Sequence, residues 1–238
     1  MNEKNKQEYG YAINPVYSQT RKESIDLEAL RKHRIVSLTD GDVISDQLKI
    51  LDTQVINILQ EKKGNSIIIT SPGKGDGKTL TSINLAISLS QKIDKTVLLV
   101  DADLRNPSIH KYLGIERVKG LADYLLGTAD IPELMINPGI TKLVLLPGGM
   151  PVNNSTVLLG SPKMRMLVDE MKERYPERVI IFDTPSLLDS ADALVFSSLV
   201  DGILLVVEAE KTTRRDIEKA ISLMSDKPLI GTVYNKAM

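Results

Sequence analysis

The stretch SIIITSPGKGDGKTLTSINLA, residues 66–86, carries the reading of the fold. It opens on five residues, 66–70, rich in isoleucine and without polar alternation, the composition of a strand covered on both faces. A glycine-rich loop follows over 71–77, and then an apolar-periodic run that predicts a helix over 79–91. Strand, glycine loop and helix in that order suit a phosphate: successive backbone N–H groups wrap it, and the helix N-terminus adds partial positive charge. The pattern G-x-x-x-x-G-K-[ST] is met at Gly77, Lys78 and Thr79, but Pro72 stands where its first glycine belongs. At the loop's entrance a missing N–H costs least, and Gly73, Gly75 and Gly77 still let the backbone approach closely. Lys74, Asp76 and Leu80 complete the set expected to line a nucleotide, with Lys78 on the β- and γ-phosphates and the Thr79 hydroxyl on Mg²⁺.

Working outward, further apolar runs fall at 97–101, 142–146, 178–183, 202–207 and 229–234. Between them, residues 161–175, 190–198 and 213–224 read as helices. Strands alternating with helices predict an α/β fold with a doubly wound, mostly parallel sheet, whose ligand lies at the carboxyl ends of the strands. Three segments are expected. Residues 1–23 are polar and read as a mobile tail that carries Tyr9, Tyr11 and Tyr17. Residues 24–64 read as helical: a short helix with Ile25, Leu27 and Leu30 on one face, capped by Ser24, then a longer one with Ile44, Leu48, Leu51, Val55, Ile58 and Leu59 at helical spacing. Residues 65–238 form the phosphate-binding domain.

Two carboxylate clusters end strands that would converge on the loop. VLLVDADLR, 97–105, brings Asp101 and Asp103 with Arg105 behind them, and RVIIFDTPS, 178–186, brings Asp183. Carboxylates so placed hold hydrated Mg²⁺ or polarise an attacking hydroxyl. A net charge of -1 on 238 residues gives no general pull toward nucleic acid. The absence of cysteine excludes disulfides and thiolate metal sites. No apolar run approaches the ~18 residues of a membrane span, and the start MNEKNKQEYG has no signal-peptide core, so a cytoplasmic protein is expected. His33 and His110 are too far apart in sequence to suggest a metal pair, and TTRRDIEKA, 212–220, reads as a solvated helix face.

The segment DADLRNP, 101–107, between a phosphate loop and a strand ending Asp-Thr-Pro, resembles the bacterial tyrosine kinases of capsule and exopolysaccharide loci. The likeness continues through GLADYLLG, LVLLPGGMPVNNSTVLLGSPKM, DGILLVVEAEKTTRRDIEKA and LIGTVYNK, over about residues 65–236. The leader SIDLEALRKHRIV, 24–36, is similar to autokinases of exosortase-linked loci. The resemblance implies a P-loop ATPase fold using ATP and Mg²⁺. In it Lys78 and Thr79 take the phosphate-loop roles, Asp101 activates a tyrosine hydroxyl, and Asp103 and Asp183 organise Mg²⁺. Arg105 stabilises charge on the phosphoryl, and Asn235 lies where related ATPases contact adenine. It further implies protein tyrosine substrates, a homo-oligomer, and an activator: the cytoplasmic segment of a transmembrane polysaccharide co-polymerase, which recruits the kinase to the inner face of the membrane.

Several positions depart from the family's pattern. The family carries a tyrosine-rich C-terminal tail, whereas this chain stops four residues after Tyr234, a strand residue; Tyr9, Tyr11 and Tyr17 are then the candidate acceptors. Tyr112, Tyr124 and Tyr175 fall in helical contexts and read as packing residues. The family's oligomerisation pattern E-x-x-R-x-x-R-T-N is replaced by Asp46, Lys49, Asp52, Thr53 and Gln54, with charge reversed at Asp52. Ser186 replaces the second proline of Asp-x-Pro-Pro, a change in loop stiffness rather than chemistry. Two other functions fit the same fold. A partitioning-type ATPase would carry a signature lysine where Gly73 stands, with Lys74 one residue late. A nucleotide-gated assembly module would bind ATP and phosphorylate little.

Overall fold

Each of the six apolar runs is a strand, and its bounds agree with the expected ones to within a residue. The computed structural model describes residues 20–23, 25, 27–35, 43–224 and 226–237. In chain order the elements are β1 (Arg21–Lys22), α1 (Leu27–Lys32), α2 (Val43–Glu61), β2 (Ser66–Thr70), α3 (Lys78–Ser90) and β3 (Thr96–Asp101). Next come α4 (Ile109–Tyr112), α5 (Leu121–Leu125), α6 (Ile131–Leu134), β4 (Ile136–Asn137), β5 (Leu143–Leu146), α7 (Ser155–Leu159) and α8 (Pro162–Arg174). The rest are β6 (Arg178–Asp183), α9 (Asp192–Phe196) with a 3₁₀ turn Ser197–Leu199, β7 (Gly202–Glu208), α10 (Arg214–Leu223) and β8 (Leu229–Asn235).

The strands form one sheet of order β1-β4-β5-β3-β6-β2-β7-β8, parallel throughout except where β4 meets β5. Because successive side chains leave a strand on opposite faces, the unbroken apolar runs feed two cores. On one side Ile68, Val100, Phe182 and Leu205 pack against α5, α7, α8 and α9, with Phe182 edge-on to Phe196 at 4.8 Å. On the other, Ile67, Ile69, Leu99 and Val206 pack against α1, α2, α3 and α4. Two helices are capped by side chains: Ser161 accepts from the Met164 N–H at 3.2 Å, and Thr213 accepts from the Asp216 N–H at 3.2 Å. Helix α10 exposes the charge run, with Arg214 paired to Glu218.

Some expectations are corrected. The helix expected over 190–198 is shorter, and a 3₁₀ turn closes it. Arg21 and Lys22, at the end of the expected tail, pair with Ile136 and Asn137 as a two-residue strand. The rest of that tail to residue 19, including Tyr9, Tyr11 and Tyr17, lies outside the described residues, as does the Ser24 cap. On α2, Val55 and Leu59 are buried as the spacing predicts, but Ile44 is exposed. Asp52 turns inward: its carboxylate accepts from Ser88 Oγ at 2.6 Å and pairs with Lys92 Nζ at 2.7 Å. Its charge therefore pins α2 to α3, where the linear pattern had placed it among charges for a neighbouring subunit. Tyr112 lies against His33, Tyr124 under the Lys163 ammonium, and Tyr175 under Arg178, in packing roles.

Candidate active site

Sheet order decides which strand ends meet. β6 runs between β2 and β3, and its pairing with β3 sets Asp101 directly opposite Asp183. The loop over 71–77 leaves the neighbouring strand β2 at the same edge. Thr70 Oγ1 donates to the Pro185 carbonyl, and Thr184 Oγ1 to the Ile69 carbonyl, so the loop and the Asp183 turn are laced together.

The loop has its own internal frame. Gly75 and Gly77 take φ of 91° and 101°, the left-handed region that glycine occupies without strain, and the turn at Gly77 starts α3 at Lys78. The buried Asp76 carboxylate accepts from the Gly73 N–H at 2.9 Å. From behind, Asn235 Nδ2 donates to the Asp76 carbonyl at 2.8 Å, and Lys236 Nζ donates to the Gly75 carbonyl at 3.0 Å. A Cβ on Gly77 would sit 2.0 Å from Asn235 Nδ2, so glycine is required there twice over, by dihedral and by space. Glu208 holds Lys236 at 2.9 Å and Lys211 at 2.7 Å, which ties the end of β7 into the same brace. Asn235 thus spends its amide N–H on the loop and keeps its carbonyl oxygen for any other contact.

Three carboxylates and one lysine occupy the centre. Lys78 Nζ lies 3.5 Å from Asp103 Oδ2. Burial works to lower the pKa of Lys78, but the charges of Asp183 and Asp103 outweigh it and raise the value, so the ammonium is kept. Burial pushes Asp183 up to about 6, against the Lys78 charge and hydrogen bonds from Thr79 and Ser82. Asp101 goes further, to about 8, through burial and the facing Asp183, although the Ile109 and Ser108 N–H groups pull the other way. Those two N–H groups hold Asp101 Oδ2 at 3.0 and 2.8 Å. The other oxygen, Asp101 Oδ1, is buried and has no hydrogen-bond partner; Asp183 Oδ2 is in the same condition. Buried polar atoms are nearly always paired, so two orphan carboxylate oxygens beside a phosphate loop mark positions that a ligand fills. Among the described residues no cluster of three metal-ligating side chains exists. The Thr79 hydroxyl and the Asp103 and Asp183 carboxylates are oxygen donors of the kind that Mg²⁺ takes while keeping most of its waters.

A cleft of about 610 Å³ opens beside Lys78 and Asp103 and is lined by Lys74, Lys78, Thr79, Asp103, Arg105 and Lys111, among others; Asp101 and Asp183 are fully buried and do not line it. Leu80 and Gly77 reach it as well, with Arg117 on the far wall. Five cations against Asp103 and Asp189 make it a basin for a polyanion. Ser186, in place of proline, donates its hydroxyl to Asp189 and so stiffens the turn by a hydrogen bond. Close to Asp101, Gly148 packs where a Cβ would meet Pro107 at 2.8 Å, which accounts for the first glycine of Pro147-Gly148-Gly149. Linear reading passed over Ser82, Lys236, Glu208, Thr156 and Asp192. Ser82 lies one helical turn beyond Lys78, with its Oγ 3.2 Å from Asp183 Oδ1, and helical spacing from the loop is the signal that could have found it.

Residues 64–226 match the family model described as an AAA domain. The tyrosine-protein kinase YwqD of Bacillus subtilis is 31% identical over 217 residues, which is 87% of this chain and 90% of that protein. The tyrosine-protein kinase CpsD of Streptococcus agalactiae is 35% identical over 184 residues, 76% of this chain and 79% of the relative. Among solved structures, the kinase domain of the Escherichia coli tyrosine kinase ETK superposes with a TM-score of 0.81 at 24% identity, covering 94% of this chain and 90% of its own, a likeness of fold.

Proposed function

The chain belongs to the bacterial tyrosine kinases, within the AAA-domain family, and on that premise we propose that it transfers the γ-phosphoryl group of Mg²⁺-ATP to protein tyrosines, its own included. The output is control of capsule or exopolysaccharide synthesis, chain length or export. The observation that carries the reading is Asp101: a buried carboxylate with one oxygen fixed by two backbone N–H groups and the other unpaired, beside the phosphate loop. A general base works best with a pKa near the operating pH, and a value near 8 meets that need far better than an ordinary aspartate would.

The steps assigned to this chain are few. The N–H groups of the loop and Lys78 hold the β- and γ-phosphates, and Asn235 lies on the adenine side. The acceptor tyrosine oxygen attacks the γ-phosphorus while the Asp101 carboxylate takes the phenolic proton. The bond from that phosphorus to the bridging oxygen breaks, and ADP leaves with the electron pair. Thr79, Asp103 and Asp183 would hold Mg²⁺, which supplies charge neutralisation on the phosphates. Arg105, on the cleft wall, stabilises the equatorial oxygens of the transferred group. Positioning and electrostatics account for such catalysis.

Among the described residues no helix is long and apolar enough to cross a membrane. In this reading the cytoplasmic segment of a polysaccharide co-polymerase recruits the kinase to the membrane and activates it, with self-association bringing acceptor tyrosines to neighbouring sites. The test is to incubate the full chain with Mg²⁺-ATP and that segment, then map phosphotyrosine by mass spectrometry. Phosphate is expected on Tyr9, Tyr11 or Tyr17. ATP hydrolysis with no labelled tyrosine would transfer the assignment to a nucleotide-gated ATPase.

A further inference from the structure

Asp192, the first residue of α9, is a carboxylate with no solvent exposure, and nothing in the phosphate loop or the carboxylate cluster uses it. It belongs to a closed ring of three side chains. Arg105 Nε donates to Asp192 Oδ2 at 3.3 Å, Arg105 Nη2 donates to Thr156 Oγ1 at 3.3 Å, and Thr156 Oγ1 donates to Asp192 Oδ1. The three come from different elements: the loop after β3, helix α7 and helix α9. Those two helices approach closely: a Cβ on Gly160 at the end of α7 would lie 2.8 Å from Val195 Cγ1 of α9. Burial works to raise the Asp192 pKa, but hydrogen bonding, that from Thr156 and Arg105 included, outweighs it and brings it below the usual range, so the anion persists.

An arginine half open to solvent has many rotamers, and ordering such a side chain costs entropy. The ring removes that freedom before any substrate arrives. It spends two of the five guanidinium N–H groups and leaves three on the wall of the cleft. We propose that Asp192 and Thr156 are positioning residues for phosphoryl transfer, which hold the Arg105 guanidinium where charge develops between γ-phosphate and acceptor. The inference rests on the kinase reading above and adds to it the element that supports its arginine.

The experiment compares wild type, Arg105→Ala, Thr156→Val, Asp192→Asn and the double variant Arg105→Ala/Thr156→Val in the full chain. Three readouts are taken: the initial rate of tyrosine labelling at saturating Mg²⁺-ATP, the Kd for a fluorescent ADP, and thermal unfolding. Arg105→Ala should lose about 10²-fold in rate, as removal of one preorganised donor does. Thr156→Val, a near-isosteric change at a half-buried site, should lose about ten-fold, the weight of one hydrogen bond to a charged group. Both should leave the ADP Kd within about two-fold, because the ring touches no loop residue. With Arg105 gone the threonine should have nothing left to position, so the double variant should be no slower than Arg105→Ala alone. The inference is overturned if Thr156→Val multiplies its loss onto that of Arg105→Ala, if it labels at the wild-type rate, or if the ADP Kd rises in step with the rate loss. If Asp192→Asn fails to fold, the threonine series decides alone. A wild-type protein that labels no tyrosine sinks the kinase reading itself, a result separate from any pattern among the variants.

Discussion

Lys78→Ala is expected to reduce tyrosine labelling by about 10²–10³-fold or more and to weaken nucleotide binding with it. The ammonium is set among three carboxylates, 3.5 Å from Asp103 Oδ2 and close enough to Asp183 to depress that group's pKa. Without the cation a triphosphate would enter beside Asp103, with Asp183 buried close by, in a cleft that had lost its central positive charge, and like-charge juxtaposition opposes binding. Lys78→Met, which keeps the length of the stem, separates charge from packing and should fail equally. Lys78→Arg should not rescue, because the site uses a compact point charge deep in a loop and a planar fork does not fit the same space. The variants should also be less stable without nucleotide at pH 8, by about 1–3 kcal/mol, since buried carboxylates lose their counter-ion. Fluorescent ADP titration, anti-phosphotyrosine blotting and denaturant melts read the three effects. Wild-type labelling by Lys78→Met would remove Lys78 from the transfer machinery.

What makes Lys78 central was legible before any coordinates, because strand, glycine loop, Gly-Lys-Thr and helix are local in sequence. The strands were equally so: Ser66–Thr70 and Arg178–Asp183 are runs of β-branched and aliphatic residues that only a strand buried on both faces explains. The convergence of Asp101 and Asp183 follows from their place at the carboxyl ends of parallel strands, although their direct pairing needed the strand order. Contacts between distant segments left no pattern. The strands Arg21–Lys22 and Ile136–Asn137 are two residues long, too short for a period of two to show. Charge is usually outside, and the inward turn of Asp52 depends on Ser88 of α3 and Lys92 just beyond it. Asp192 sits in a run, Ser190–Ala191–Asp192–Ala193, that has no motif of its own. Its meaning lies in Arg105, 87 residues away. The brace of Asn235 and Lys236 behind the loop is similar: it is a product of β8 following β7 at the sheet edge.

Asp101→Asn is expected to do two things in opposite directions, and their combination identifies the residue as a base rather than a strut. Tyrosine labelling should fall by about 10²–10⁴-fold, the weight of a general base, with ADP binding retained. Stability should rise. In the folded chain Asp101 is protonated up to about pH 8, whereas an exposed aspartate in the unfolded chain ionises from about 3.8. The folded value is the raised one, so the stabilisation is complete below the unfolded pKa and is lost progressively as pH climbs toward 8. Over that window the folded state binds one more proton than the unfolded, and each pH unit costs about 1.4 kcal/mol. Asp183 adds a second, narrower loss between about 3.8 and 6. Since the two carboxylates face each other, their titration belongs to the pair. An asparagine carbonyl still accepts from the Ser108 and Ile109 N–H groups, so the variant keeps those bonds and sheds the titration. Metal-free, nucleotide-free Asp101→Asn should therefore be at least about 2 kcal/mol more stable than wild type at pH 8, with little difference at pH 4. Urea melts from pH 4 to 9 measure this. A variant that is destabilised at pH 8 would show that the buried carboxylate is held ionised by its neighbours, and one that labels tyrosine normally would show that it takes no proton from the acceptor.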